Sequence, residues 1–305
     1  MRRERGFALI AALWLLVALS ALALEVSLVA RERRLAAANT IEGTQARAAA
    51  AAGLEHARAR LAAMLERGAL DPWRRVDSVF AGDLALGEAR YRVTLRDAAV
   101  ALNLNRATET ELRRLLVALR VDAGQADGVA QAIMDWRDPD DLRRARGAER
   151  EDYLRDGAPL LPRNGPLQSL DELRYIKGMT PEILAQARPC LTLLGTGQVN
   201  LNAAPRPVLL ALPGIGEEAA GVLLRHQGSR HPLHSLADLS LELSAGARAA
   251  LEAETSALLA RVTFETREVE AVSDGWADGS PVRVHAHGLL VRARDVAFLV
   301  WRRTE

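Results

Sequence analysis

The sequence predicts an α+β fold: a long N-terminal helix plus a small antiparallel sheet, split by a large all-helical insertion of helix-hairpin-helix or SAM-like character. Three observations carry this. Residues Glu25 through Leu65 hold no proline and are dominated by Ala, Leu, Arg and Glu, with only Gly43 and Gly53 interrupting. Strand-type alternation occurs at residues 91–96 and then only beyond residue 260. Everything between about 101 and 255 reads helical and contains an internal repeat.

The N-terminal element comes first. Phe7 to Leu24 runs eighteen residues without a charge, between Arg2, Arg3, Glu4 and Arg5 on one side and Glu25 on the other. That meets the lower length limit for a membrane-spanning helix. Arg31, Arg33 and Arg34 follow the segment as Arg2, Arg3 and Arg5 precede it, so the basic flanks do not orient it. An ordinary secretory signal peptide cut at Ala21-Leu22-Ala23 is the competing reading. Against it, helical composition continues unbroken past that site.

The first strand expected is Tyr91-Arg92-Val93-Thr94-Leu95-Arg96, with Tyr91, Val93 and Leu95 on one face. Arg261-Val262-Thr263-Phe264-Glu265-Thr266 and Val282-Arg283-Val284-His285-Ala286-His287 alternate in the same way. Val296-Ala297-Phe298-Leu299-Val300-Trp301 is a continuous apolar run suited to a buried strand. Within the helical part, Asn103-Leu104-Asn105 returns as Asn200-Leu201-Asn202. Pro166-Leu167-Gln168-Ser169 likewise returns as Pro232-Leu233-His234-Ser235, so two related subdomains are expected. The second Asn of each triplet, or a nearby Thr or Ser, can cap the next helix, and Thr108-Glu109-Thr110-Glu111 has the capping-box spacing.

Composition narrows the functional class. The 305 residues suit about two domains at roughly 150 residues each. With 40 Lys+Arg against 39 Asp+Glu there is no global field toward nucleic acid, and any anion site must be local. The single cysteine, Cys190, rules out an intrachain disulfide and a Cys-rich zinc site. No Gly-x-Ser-x-Gly or phosphate-binding loop occurs, Cys190 has no evident base partner, and His226, His231 and His234 lack ligand spacing with a carboxylate. The chain is read as non-enzymatic.

Arg5-Gly6-Phe7-Ala8-Leu9 resembles a type IV prepilin processing site, with the scissile bond between Gly6 and Phe7. Most pilins carry a Glu at the fifth residue after that bond; this sequence has Ala11. The K-type minor pseudopilins of type II secretion resemble it in this departure and in Leu13-Trp14-Leu15-Leu16. They also resemble it in Asn-Leu-Asn, the Trp136 acidic loop, and Gly147-Ala148-Glu149 followed by Asp152-Tyr153. The order of these motifs, across essentially the whole chain, carries the resemblance.

It implies a prepilin leader at 1–6, a transmembrane segment at 7–24 and a periplasmic helix at 25–68. A pilin-like head follows at 69–100, then the helical insertion at 101–255 and the returning head strands at 256–305. It further implies an inner-membrane, single-pass protein with its body in the periplasm and an N-methylated Phe7. The implied role is at the pseudopilus tip, initiating assembly and aiding export of folded proteins. The implied partners are the I- and J-type pseudopilins, the inner-membrane platform, prepilin peptidase and secreted proteins.

Two sites remain to be weighed. Leu212-Pro213-Gly214-Ile215-Gly216 is a helix-hairpin-helix turn, with a looser copy around Gly178, and such turns often grip phosphates through backbone N–H groups. A membrane-anchored DNA receptor is therefore the rival reading, opposed by Glu217 and Glu218 where a phosphate needs a cation or hydroxyl. Asp135, Asp138, Asp140, Asp141, Glu149 and Asp152 form the densest carboxylate cluster. Hard oxygens of this kind suit calcium, a property the resemblance also implies, although the spacing is not an EF-hand. Asp274 and Asp278 form a second, weaker candidate.

Overall fold

The computed structural model describes residues 2–66, 73, 76–229, 231–294 and 296–304, with residues 2–11 described by their backbone alone. Helix α1 (Arg2–Leu65) is a single 64-residue element, about 96 Å long at 1.5 Å per residue. From Leu13 through Val29 its apolar side chains are exposed. Farther along, Ala46, Ala49, Ala50, Leu54, Ala57, Leu61 and Leu65 are buried, a stripe at helical spacing that turns one face onto a sheet.

After the helix come β1 (Leu84–Leu86) and β2 (Ala89–Asp97). The insertion opens with β3 (Leu102–Asn103), α2 (Glu109–Ala118), α3 (Ala123–Arg137), α4 (Arg150–Arg155), α5 (Pro181–Ala187) and β4 (Leu191–Thr192). Its second half is β5 (Val199–Asn200), α6 (Arg206–Ala211), α7 (Glu217–Gln227), α8 (Leu236–Leu241), α9 (Ala245–Ala253), α10 (Thr255–Leu259) and β6 (Val262–Thr263). The chain then returns to the sheet as β7 (Glu268–Ala277), β8 (Val284–Ala293) and β9 (Val296–Thr304). The main sheet is antiparallel in the order β1-β2-β7-β8-β9, so the insertion is spliced between two hydrogen-bonded neighbours, β2 and β7.

Each half of the insertion is closed by its own two-residue parallel ladder, β3 with β4 and β5 with β6. This explains the Asn-Leu-Asn repeat. The second Asn caps no helix. Asn105 instead accepts from the Leu167 N–H at 2.9 Å and donates to the Leu167 carbonyl at 2.9 Å. Asn202 does the same with Leu233, at 3.1 Å and 2.7 Å. An amide side chain carries a donor and an acceptor side by side and so mimics a strand partner for the Pro-Leu segment. The capping box at Thr108 and Glu111 forms as its spacing predicts.

Two strand expectations are corrected and one strand is added. Arg261–Thr266 does not join the main sheet: Val262 and Thr263 pair with Val199 and Asn200, so the insertion runs past residue 255. Val296–Trp301 is no buried strand but the sheet edge, with Val296, Phe298, Val300 and Trp301 exposed. The central strand β7 escapes the alternation search because its helix-facing residues are Ala271, Ser273 and Gly275, too small to register as hydrophobic. That smallness is what the packing requires. A Cβ on Gly275 would lie 2.3 Å from the Ala46 carbonyl oxygen and 2.4 Å from the Ala50 nitrogen.

Candidate cation site and hairpin geometry

The acidic loop leaves the C-terminus of α3. Asp135 is fully buried there and is engaged by Arg144, whose guanidinium reaches it at 2.6 Å and Asp138 Oδ2 at 2.5 Å. Gly147 closes over this pair, since a Cβ there would lie 1.9 Å from Asp135 Oδ2. The chain can then turn Glu149 inward at the start of α4. The Glu149 N–H donates to the Asp152 carboxylate at 3.1 Å, while the Asp152 N–H goes to the Glu149 backbone carbonyl at 2.8 Å and leaves the Glu149 carboxylate without a donor. The bond from the Glu149 N–H, followed by the charges of Arg143 at 3.4 Å and Arg155 at 3.2 Å, keeps the Asp152 carboxyl below the usual range.

Of the six carboxylates singled out in the sequence, three converge. Oxygens of Asp138, Asp140 and Glu149 lie within 4.8 Å of one another. Asp135 and Asp152 are taken up by arginines, and Asp141 accepts from Asn164 Nδ2 at 2.9 Å. Both oxygens of Glu149 and Oδ1 of Asp138 are buried without a hydrogen-bond donor. Leaving buried acceptors unpaired is costly, more so when they are charged. Burial, followed by the like charges of Asp135, Asp138, Asp141 and Asp140, pushes the Glu149 carboxyl up to about 7. Orphaned hard oxygens facing one another fit a divalent cation such as calcium. Asp274 and Asp278 do not converge: each holds a basic partner, His285 at 2.7 Å and Arg90 at 2.8 Å.

The Trp136 and Tyr153 motifs pack beside this loop. Their rings meet edge to face at 5.2 Å, Trp136 Nε1 donates to Glu172 at 3.2 Å, and Tyr153 Oη accepts from the Lys177 N–H at 3.0 Å. Burial raises the Tyr153 phenol to about 12, so it stays protonated. Residues scattered over the sequence thereby fasten the acidic loop to the hairpin at Gly178.

Both hairpin turns face inward. Gly178 has φ +81° and sits over Val129 of α3, while Gly214 has φ +69° and sits on Ala250 and Leu251 of α9 and on Glu254, which follows that helix. Gly216 differs: its φ is −92° and a Cβ there would meet nothing within 4 Å. Glu217 pairs with Arg206, and Glu218 accepts from Ser244 N and Oγ, both at 2.7 Å. The start of α7 is therefore occupied by protein groups and carboxylates, which is unfavourable for a phosphodiester. Gly214→Ala is expected to cost on the order of 1–2 kcal/mol through its positive φ and tight packing. Gly216→Ala should change stability by less than about 0.5 kcal/mol. Thermal melts of the two variants check this contrast.

The remaining sequence candidates are not brought into a catalytic arrangement. Cys190 is buried, and burial raises its thiol pKa, the opposite of what activates a nucleophile. His226 does meet a carboxylate that spacing failed to reveal, Glu242 at 2.5 Å, but its other nitrogen faces the His231 carbonyl at 2.9 Å. Gly6, Phe7 and Ala11 lie in the first turns of α1, where side chains are outside the described residues.

Comparison with known proteins places this architecture. The family profile for Type II secretion system (T2SS), protein K, matches residues 93–196, which span the end of β2 and the first half of the insertion with its acidic loop. Type II secretion system protein K of Klebsiella pneumoniae is 28% identical, over 68% of this chain and 70% of its own length. The Aeromonas hydrophila protein K is 27% identical, over 76% and 74% respectively. A protein K relative from Escherichia coli K12 is 31% identical, with the match spanning 37% of that protein. The fold is shared with the crystal structure of the GspK-GspI-GspJ complex from the enterotoxigenic Escherichia coli type 2 secretion system. That likeness has a TM-score of 0.70 and 20% identity, and covers 89% of this chain and 99% of the other.

Proposed function

From its membership of the type II secretion system protein K family of minor pseudopilins, we propose that this chain caps the pseudopilus tip and starts its assembly. The observation that carries the reading is α1 itself. One unbroken helix presents a bare apolar stretch long enough to cross a membrane and then, without a hinge, becomes the core helix of the head. The close seating of Ala46 and Ala50 on Gly275 makes anchor and head one body, so a shift of the anchor within a helical bundle moves the head with it. The single-pass anchor sits in the inner membrane and the body in the periplasm.

Ala11 supports the tip position. Elsewhere in such filaments a buried carboxylate pairs with the terminal amine of a neighbouring subunit, where an unpaired charge would be costly. A subunit with Ala11 offers no such partner to a subunit above it. The I- and J-type pseudopilins are its proposed neighbours, in keeping with the solved relative, a complex of the K, I and J proteins. Prepilin peptidase would cut between Gly6 and Phe7, and the secretion platform would extract the processed helix. Secreted proteins would meet the exposed insertion.

Calcium belongs to this reading. Asp138, Asp140 and Glu149 would hold it, and the ion would supply the positive charge that the unpaired oxygens of Asp138 and Glu149 lack, tying α3 to α4.

The deciding experiment is the mass of the N-terminal peptide of protein taken from its native membrane. The expected result is a chain beginning at N-methylated Phe7. A start at Leu24 would mean a secreted soluble protein, and an intact Met1 region would restore the anchored receptor reading.

A further inference from the structure

A basic recess lies on the helical insertion, on the outer side of α2 and α6. Helices α2 and α6 pack against each other and leave a groove of about 360 Å³. Arg113, Arg114, Arg120 and Arg206 line it, over a floor that includes Val117 and Leu210. Arg113 and Val117 stand four apart on α2, as Arg206 and Leu210 do on α6, so both helices present the same cationic-then-apolar pair.

The charge in this groove is not neutralised from within. Glu217 pairs with Arg206, Asp127 lies 3.6 Å from Arg113, and Arg114 donates to the Leu212 carbonyl at 3.3 Å. Four guanidinium groups thus meet two carboxylates. Arg120 has no ion-pair or side-chain hydrogen-bond partner among the described residues.

The backbone at Arg120 sharpens the point. Helix α2 ends in a Schellman motif, with Arg120 N–H on the Val117 carbonyl at 2.9 Å and Val121 N–H on the Leu116 carbonyl at 3.1 Å. Arg120 fills the left-handed position of that motif, φ +67°, where glycine is free of strain. An arginine is kept at a strained position and aimed into a groove already rich in cations.

We propose that this groove docks an acidic segment of a partner protein, with carboxylates on Arg113, Arg120 and Arg206 and an aliphatic side chain on Val117 and Leu210. A planar guanidinium binds a carboxylate through two parallel hydrogen bonds, and a short cleft with an apolar floor takes a few residues of extended chain. A nucleic-acid duplex fits less well. The groove is short, and Glu217 and Glu218 stand at its α7 side. The assignment does not depend on the tip position or on processing at Gly6.

The test uses the full chain in lipid nanodiscs and a fluorescein-labelled peptide of alternating glutamate and leucine, read by fluorescence anisotropy at low ionic strength. Saturable binding is expected, weakening as salt is added. It should fall about tenfold or more in an Arg113→Gln/Arg120→Gly variant. Arg120→Gly alone relieves the backbone strain, so it should melt at the same or a higher temperature while still binding more weakly. That separates recognition from folding if the double variant is damaged. Absence of saturable binding, or equal affinity in wild type and Arg120→Gly, overturns the proposal. A labelled DNA duplex that binds where the peptide does not, and loses affinity in the same variants, overturns it in favour of nucleic acid.

Discussion

A Gly275→Val variant is expected to unseat helix α1 and lower stability by about 3 kcal/mol, the upper part of the range for overpacking. The neighbours that an added Cβ would strike are the Ala46 carbonyl and the Ala50 nitrogen, backbone atoms of a continuous helix that cannot rotate away. The helix must lift, and with it go Leu54 on Gly288 and Gly53 on Ser273 and Tyr91. At roughly 2–4 °C per kcal/mol the melting temperature should fall by roughly 6–12 °C. Gly43→Ala in the same helix is the control, since a Cβ there meets only Arg47 Nη1 at 3.9 Å. It should melt no lower than wild type, because alanine favours the helix by up to about 1 kcal/mol. Circular dichroism melts of both variants decide the matter. Equal melting temperatures would mean that the anchor is not rigidly seated on the head.

The second large effect expected is stabilisation by calcium. An ion bound only by the folded chain contributes about 2.7 kcal/mol at a hundredfold excess over its dissociation constant. On the same scale that is roughly 5–10 °C, read by calorimetry with calcium or with EGTA. Glu149→Ala and Asp138→Ala should each abolish the calcium-dependent part. Without calcium, pH acts in the opposite sense from an ordinary paired carboxylate. Burial first, then the neighbouring carboxylates, raises the folded Glu149 carboxyl to about 7, above its ordinary 4.5. The folded chain therefore holds a proton that the unfolded chain has lost between those values. This stabilising contribution is complete below 4.5 and is lost as pH rises through 7. Calcium competes with that proton, so its effect should be larger at pH 8 than at pH 6. A melting temperature indifferent to calcium at both pH values would remove the ion from this loop.

Much of the molecule is written locally. An uncharged run continuing into proline-free, Ala- and Leu-rich sequence defines α1, because helix propensity and membrane length are properties of neighbouring residues. The first strand is legible because Tyr91, Val93 and Leu95 alternate with arginine and threonine. The repeated Asn-Leu-Asn and Pro-Leu segments announce two subdomains, and Thr108 with Glu111 announces a helix start. The carboxylates of the acidic loop are identifiable by density alone.

Tertiary structure decided what depends on partners distant in the chain. Strand β7 looked featureless because its Ala, Ser and Gly are selected by the approach of α1, more than 200 residues earlier in sequence. Strand β9 looked buried because its residues are apolar, yet lying at the sheet edge leaves Phe298 and Val300 in the open. Val262 and Thr263 alternate like any strand, but only folding determines that they close the insertion by pairing with Val199 and Asn200. Among six acidic residues, the positions of Arg143, Arg144, Arg155 and Asn164 determine which are consumed by internal bonds and which three are left facing one another. Composition and spacing set which elements form; electrostatic pairing and close packing between remote segments set which of their side chains remain free to act.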